Sequence, residues 1–189
     1  MAFLAFQPSL EQRRLLGAAI ENLQTRFPGL VWEHWQDLHI TIKFIAGWNR
    51  LDLLRVTEVW QQLLEKTPAF ELRLAEFGAF ISHGRAQILW LGVEESCELK
   101  HLAELFDGFL EDKFQIPRNE KPFRPHLTLA RVVKRAAFPE RDWYALPRLP
   151  MSFAADEIRL MKRRSGTKTA SVEPLYEVLA ATRLPISRT

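Results

Sequence analysis

The residues able to do chemistry occur as two copies of one short pattern. Leu38-His39-Ile40-Thr41-Ile42-Lys43-Phe44 and Phe123-Arg124-Pro125-His126-Leu127-Thr128-Leu129-Ala130-Arg131 both contain His-x-Thr-x. On an extended strand successive side chains alternate between faces, so His39 and Thr41 share one face, as do His126 and Thr128. Ile40, Ile42, Leu127 and Leu129 anchor the other face. Two such strands lying across a groove would bring together two imidazoles and two hydroxyls, a set suited to acid-base chemistry on a phosphodiester without a metal. One copy alone is weak evidence, because Thr favours strands and a neighbouring histidine is usually half-buried or solvent-facing. Two copies, each inside an apolar strand, carry the argument. His34 sits between tryptophans in an edge segment, His83 in a turn and His101 on the polar side of a helix, and all three read as packing or surface residues.

The elements that must position these strands follow from periodicity. Ala2 to Gln7 reads as a short first strand. Ser9 to Phe27 reads as an amphipathic helix, with Ser9 and Gln12 as a capping box and Pro28-Gly29 as its stop. Leu30 to Trp35 is a connecting or edge strand, and Leu38 to Ala46 the first motif strand, ending at Gly47. Leu51 to Lys66 and Ser96 to Phe114 are two further helices with apolar stripes at helical spacing. Between them lie strands Phe70 to Phe77 and Arg85 to Val93, joined through Ser82-His83-Gly84. His126 to Val133 is the second motif strand. A Pro-bounded connection, Pro139 to Pro150, precedes two closing strands, Phe153 to Lys162 and Pro174 to Leu184. The sum is an α+β chain: one domain over residues 1–189, bilobal and pseudo-symmetric. It is expected to hold two mostly antiparallel sheets with outer helices and one motif strand per lobe facing a central groove.

Composition narrows the function classes. The chain has 189 residues and 47% apolar content, enough for a sizeable core. It has no apolar run long enough to span a membrane and no signal-like start, so it is expected to be cytoplasmic, with no membrane partner. Cys97 is the only cysteine, which excludes an internal disulfide and multi-cysteine metal sites, and it reads as a structural or surface residue. Net charge is +3, unevenly spread: residues 117–189 carry 15 Lys and Arg against 7 Asp and Glu, whereas residues 1–116 carry 11 against 16. The basic half contains the second motif, and a basic surface beside a phosphate site would draw in a polyanion.

Two His-x-Thr-x motifs about half a chain apart, with Leu89-Trp90-Leu91-Gly92-Val93 between them and a closing strand pair after them, resemble the two-histidine (2H) phosphoesterase superfamily. Within it the chain resembles the bacterial LigT/ThpR branch, the RNA 2′,3′-cyclic phosphodiesterases once called 2′-5′ RNA ligases. The likeness runs from Ala2 to about Leu184, and the Pro before His126 and the Ala-Arg after Thr128-Leu129 make it specific. One departure is Ile-Lys-Phe-Ile-Ala-Gly after Thr41, where a Leu-Gly ending is common. The resemblance implies hydrolysis of RNA 2′,3′-cyclic phosphate ends, tRNA fragments among them, to 2′-phosphates, with some reversible 2′-5′ joining. It implies His39 as proton donor, His126 as proton acceptor, Thr41 and Thr128 on the nonbridging oxygens, and Arg131 paired with phosphate charge. No cofactor or metal is expected, and the protein is expected to be a monomer. Arg131 stands at an odd offset from Thr128, so a bulge or the strand end must turn it inward.

Other readings compete. The groove could bind a nucleotide or RNA end without turnover, in which case loss of the histidines would be tolerated. It could serve a small cyclic nucleotide. A metalloenzyme would need carboxylate or further histidine ligands, which neither motif strand supplies. No Walker-type loop is present, which disfavours an ATP-driven ligase. A rim of Arg124, Arg131, Arg163, Arg164 and Lys168 would favour an RNA strand over a mononucleotide.

Overall fold

The chain folds as antiparallel strands packed against helices. In chain order the elements are β1 (Ala2–Phe6), α1 (Leu10–Arg26), β2 (Leu30–Trp32), a 3-10 turn (Trp35–Asp37), β3 (Ile40–Ile45), α2 (Arg50–Leu64), β4 (Phe70–Ser82), β5 (Arg85–Val93) and α3 (Cys97–Phe114). They continue with β6 (His126–Val132), α4 (Glu140–Tyr144), β7 (Ser152–Ala155), β8 (Glu157–Arg163) and β9 (Tyr176–Arg183). The structure is a computed structural model and describes residues 2–47, 50–133, 138–165 and 174–186.

Local chemistry sets the element ends. Ser9 accepts from the Gln12 backbone N–H while the Gln12 side chain accepts from the Ser9 N–H, so α1 begins with the expected capping box. Ser96 caps α3 by accepting from the Leu99 N–H at 3.1 Å, and exposed Cys97 opens that helix. Between β4 and β5, His83 and Gly84 both adopt positive φ (52° and 71°), the two-residue hairpin turn that matches strand twist. Three segments depart from the sequence reading. Strand β4 runs on past Phe77 to Ser82, because Gly78 is no strand end but the space that the Trp90 ring fills; a Cβ there would lie 2.1 Å from that ring. The connection after Pro139 contains α4, which buries Trp143 completely and lets its indole donate to the Gly78 carbonyl at 3.0 Å. The stretch Phe153 to Lys162 is two strands, divided at Asp156.

That division shapes the whole sheet. The strands form one hydrogen-bonded path, β7-β4-β5-β6-β3-β1-β8-β9, with β2 paired to β6, where two separate sheets were expected. Every recorded pairing is antiparallel. Strands β7 and β8 are separated by Asp156 alone yet pair with β4 and β1 in opposite halves of the path, so the path must curl back on itself. Hydrogen bonds from Ala69 N–H to the Pro185 carbonyl (2.8 Å) and from Leu184 N–H to the Asp156 carbonyl (2.7 Å) fasten the ends. The motif strands β3 and β6 are neighbours at the middle, joined by one pair, Ile40 with Leu127.

The main core lies on one face of this path, where Leu4, Phe6, Ile40, Leu127 and Leu160 meet Leu16, Ile20, Val56, Trp60 and Phe106 of the helices. Strand β1 is buried at every residue because both of its faces are covered: Leu4 and Phe6 enter the main core, whereas Phe3 and Ala5 join Met161 in a small second cluster. Buried Lys43 pins α3 to β3, its ammonium 2.5 Å from Asp107 and 2.7 Å from the Pro117 carbonyl. No helix among the described residues is long and apolar enough to cross a membrane.

Candidate active site

The Ile40–Leu127 pair fixes how the two motifs meet. Ile40 and Leu127 both point into the core, so His39, Thr41, His126 and Thr128 occupy the other face. Continuing the antiparallel register by one residue each way sets His39 across from Thr128 and Thr41 across from His126. The four residues thus share one face of the strand pair, with the two motifs side by side. All four are half-buried.

The imidazoles are held alike. His39 Nδ1 lies 2.5 Å from the Asp37 carbonyl and His126 Nδ1 2.7 Å from the Arg124 carbonyl. A carbonyl can only accept, so Nδ1 carries hydrogen in both rings and Nε2 is left as the working atom, an acceptor when neutral and a donor when protonated. Aromatic rings buttress each imidazole. Phe3 stacks on His39 with centroids 4.5 Å apart, and Tyr176 meets both Phe3 and His39 edge-on. Phe80 meets His126 edge-on at 4.8 Å, with Trp90 beyond it at 6.2 Å.

This packing lowers the basicity of both rings. Burial pushes the His39 pKa down from 6.5 to about 4; the Asp37 bond works against it, and the nearby His126 and Arg131 push the same way as burial. Burial also lowers the pKa of His126, opposed by its bond to the Arg124 carbonyl. Both imidazoles are therefore neutral at pH 7, and an anion between them would favour the charged form of either.

Arg131 reaches this face through a bulge. Leu89 pairs with Ala130 and the next residue, Trp90, with Thr128, so Leu129 is an extra residue in β6 and the alternation resets after it. Leu129 and Ala130 are both buried, and Arg131 emerges on the side of His126 and Thr128. Strand β3 is built the same way: Leu4 pairs with Lys43 and Ala5 with Thr41, so Ile42 is the extra residue there. The residue in β3 that corresponds to Arg131 is Phe44, half exposed and edge-on to Phe3.

Two buried carboxylates support the site and carried no motif by which to find them. Asp37 accepts from the Leu175 N–H at 2.7 Å and the Tyr176 N–H at 3.3 Å, tying the start of β9 to the turn whose carbonyl holds His39. Glu33 pairs with Arg131 at 3.1 Å. Burial raises the pKa of both acids. Arg163 acts electrostatically on Glu33 and Tyr176, and Arg164 on Asp37, so two of the expected basic rim residues lie near the groove. Arg124 is exposed, and Lys168 lies outside the described residues. His83 and His101 are exposed, and His34 caps the 3-10 turn, accepting from the Gln36 N–H.

A family model described as the 2′-5′ RNA ligase superfamily matches residues 7–167. An RNA 2′,3′-cyclic phosphodiesterase of Geobacillus stearothermophilus is 28% identical over 95% of this chain, which spans 55% of that relative's length. Enzymes of the same name from Aquifex aeolicus (28% identical, 78% of each chain) and Thermotoga maritima (27%, 94% of this chain and 91% of the relative) match more evenly. Among solved structures, Thermus thermophilus TT0787 superposes with a TM-score of 0.79 at 24% identity, covering 99% of each chain. E. coli LigT superposes with a TM-score of 0.72 at 21% identity, covering 97% of this chain and 96% of its own.

Proposed function

Because this chain belongs to the 2′-5′ RNA ligase superfamily, we propose that it hydrolyses 2′,3′-cyclic phosphate ends of RNA to 2′-phosphomonoesters, with His39 as proton donor, His126 as proton acceptor and no metal. The observation that supports this reading is the Ile40–Leu127 pair, which makes the two motif strands neighbours with both His-Thr pairs on the face opposite the core. His126 Nε2 takes a proton from water as its oxygen bonds to phosphorus; the bond from phosphorus to O3′ breaks, and His39 Nε2 gives a proton to O3′. Thr41, Thr128 and Arg131 hold the nonbridging oxygens, where charge builds in the transition state. Because burial holds the His39 pKa down, the negative charge of a bound phosphate is what would favour its imidazolium form, the one able to donate. A 5′-hydroxyl of a second RNA in place of water gives a 2′-5′ linkage through the same proton transfers, which is the reversible joining reaction.

In this reading the two halves of the strand path, β6-β5-β4-β7 and β3-β1-β8-β9, are pseudo-symmetric lobes of one domain that meet at the groove. The protein acts as a cytoplasmic monomer on RNA ends, those of tRNA fragments included. The test is product analysis on a short RNA ending in 2′,3′-cyclic phosphate, with a chelator present throughout. The expected product is the 2′-phosphate. A 3′-phosphate would reverse the leaving group, and absence of turnover in the wild-type protein would leave the groove as a binding site.

A further inference from the structure

We infer that Glu33 is a positioning residue for Arg131, the carboxylate that turns the guanidinium to face the phosphate. This rests on the reading of Arg131 as a phosphate ligand given above. Glu33 follows β2, whose residues Leu30, Val31 and Trp32 pair with Val132, Arg131 and Ala130 of β6. It then grips the β6 bulge twice. Its backbone N–H donates to the carbonyl of Leu129, the extra residue, at 2.8 Å. Its carboxylate accepts from Arg131 Nε at 3.1 Å. The backbone contact holds the bulge that brings Arg131 to the groove face, and the side-chain contact sets how the guanidinium lies there.

The chemistry of the guanidinium makes this specific. Arginine presents its donors in a rigid planar fork, and the Nε edge is the one nearest the chain. With Nε engaged by Glu33, the terminal nitrogens Nη1 and Nη2 make no hydrogen bond or ion pair among the described residues. The same cation acts electrostatically on His39, so its charge lies within reach of the motif histidines. Glu33 is 8% exposed, whereas the Arg131 side chain is 44% exposed. The acid is therefore the fixed partner and the base the one being aimed. A solvated ion pair would have both partners exposed and would orient neither.

The experiment is a double-substitution cycle of Glu33→Ala and Arg131→Ala, with Glu33→Gln as the conservative variant, on a short RNA ending in 2′,3′-cyclic phosphate. Either side-chain change leaves the backbone bond to Leu129 available, and thermal melting checks that each variant is folded. Arg131→Ala is expected to lower kcat/KM by about ten- to a thousandfold, as for loss of one donor to a developing oxyanion. Glu33→Ala is expected to lower it by about tenfold, mostly in kcat, and Glu33→Gln, which can still accept from Nε, by less. In the Arg131→Ala background Glu33→Ala should cost nothing further, because positioning has meaning only while the positioned group is present. If Glu33→Ala costs the same factor with and without Arg131, its role is structural and the inference is overturned. If Arg131→Ala is harmless while His39→Ala abolishes turnover, the inference falls and the hydrolase reading stands. If the wild-type protein does not turn over the RNA, the cycle is read in affinity for adenosine 2′-monophosphate, where additive losses overturn the inference and non-additive losses uphold it.

Discussion

At the scale of single residues the site is governed by where two protons sit. Both Nδ1 atoms donate to carbonyls two residues back in the chain, so the two rings are the same tautomer and differ only in proton occupancy at Nε2. With His39 at about 4 and His126 below its ordinary 6.5, the bell of kcat/KM against pH, which reports the free enzyme, should peak on the acid side of 6.5. The bell for kcat should lie at higher pH, because bound phosphate favours both imidazolium forms. Measuring both profiles checks this, and coincident bells would mean that the phosphate does not sit between the rings. The hydroxyls make a separate prediction. Thr41→Val and Thr128→Val keep the branched shape and remove the donor, so the fold should survive while kcat falls by roughly ten- to a thousandfold. Single-turnover rates together with melting curves would test it, and unchanged rates would mean that the oxygens are held elsewhere.

At the scale of elements, what matters is how β3 and β6 are held in place. Each carries one extra residue directly after its Thr, Ile42 and Leu129, and each bulge turns a later side chain outward, Phe44 in one strand and Arg131 in the other. Strand β3 is fixed from behind by Lys43, whose charge is almost wholly buried against Asp107 of α3. Removing one partner of such a pair leaves an uncompensated buried charge, a loss of about 3–5 kcal/mol in fully buried cases. Asp107 retains some exposure, so Asp107→Ala should destabilise the protein by about 3 kcal/mol, read from denaturant unfolding, and Lys43→Met in the same chain should recover much of it. A loss below about 1 kcal/mol would show that the Pro117 carbonyl alone suffices for the ammonium.

At the scale of the whole molecule, charge is distributed so that the half containing the second motif is basic. Arg163 and Arg164 stand at the end of β8, within electrostatic reach of Glu33, Asp37 and Tyr176. An RNA strand leaving the groove would cross this region, whereas a cyclic mononucleotide would end short of it. The value of kcat/KM for an RNA end should therefore fall steeply with added salt, and Arg163→Ala with Arg164→Ala should flatten that dependence, while a cyclic mononucleotide responds little to either. An equal response of the two substrates would make these arginines ordinary surface charges with no part in choosing RNA.

What could be read from the chain alone is what backbone sterics and short-range period decide. The pairing of His with Thr on one face, the caps at Ser9 and Ser96 and the β4–β5 turn are all consequences of neighbours a few residues apart. The odd offset of Arg131 was legible as well, calling for a bulge or the strand end to turn it, and β6 contains a bulge. Which strands adjoin emerges only in the folded molecule. Nothing local makes Ile40 meet Leu127, gives Arg131 a carboxylate 98 residues earlier in the chain, or brings Asp37 to Leu175 across 138 residues. The division of Phe153 to Lys162 into two strands on opposite halves of the path was hidden for the same reason, since its apolar pattern suits one strand as well as two. Long-range pairings are selected by burial summed over the whole core, and that sum exists only once the strands have been brought together.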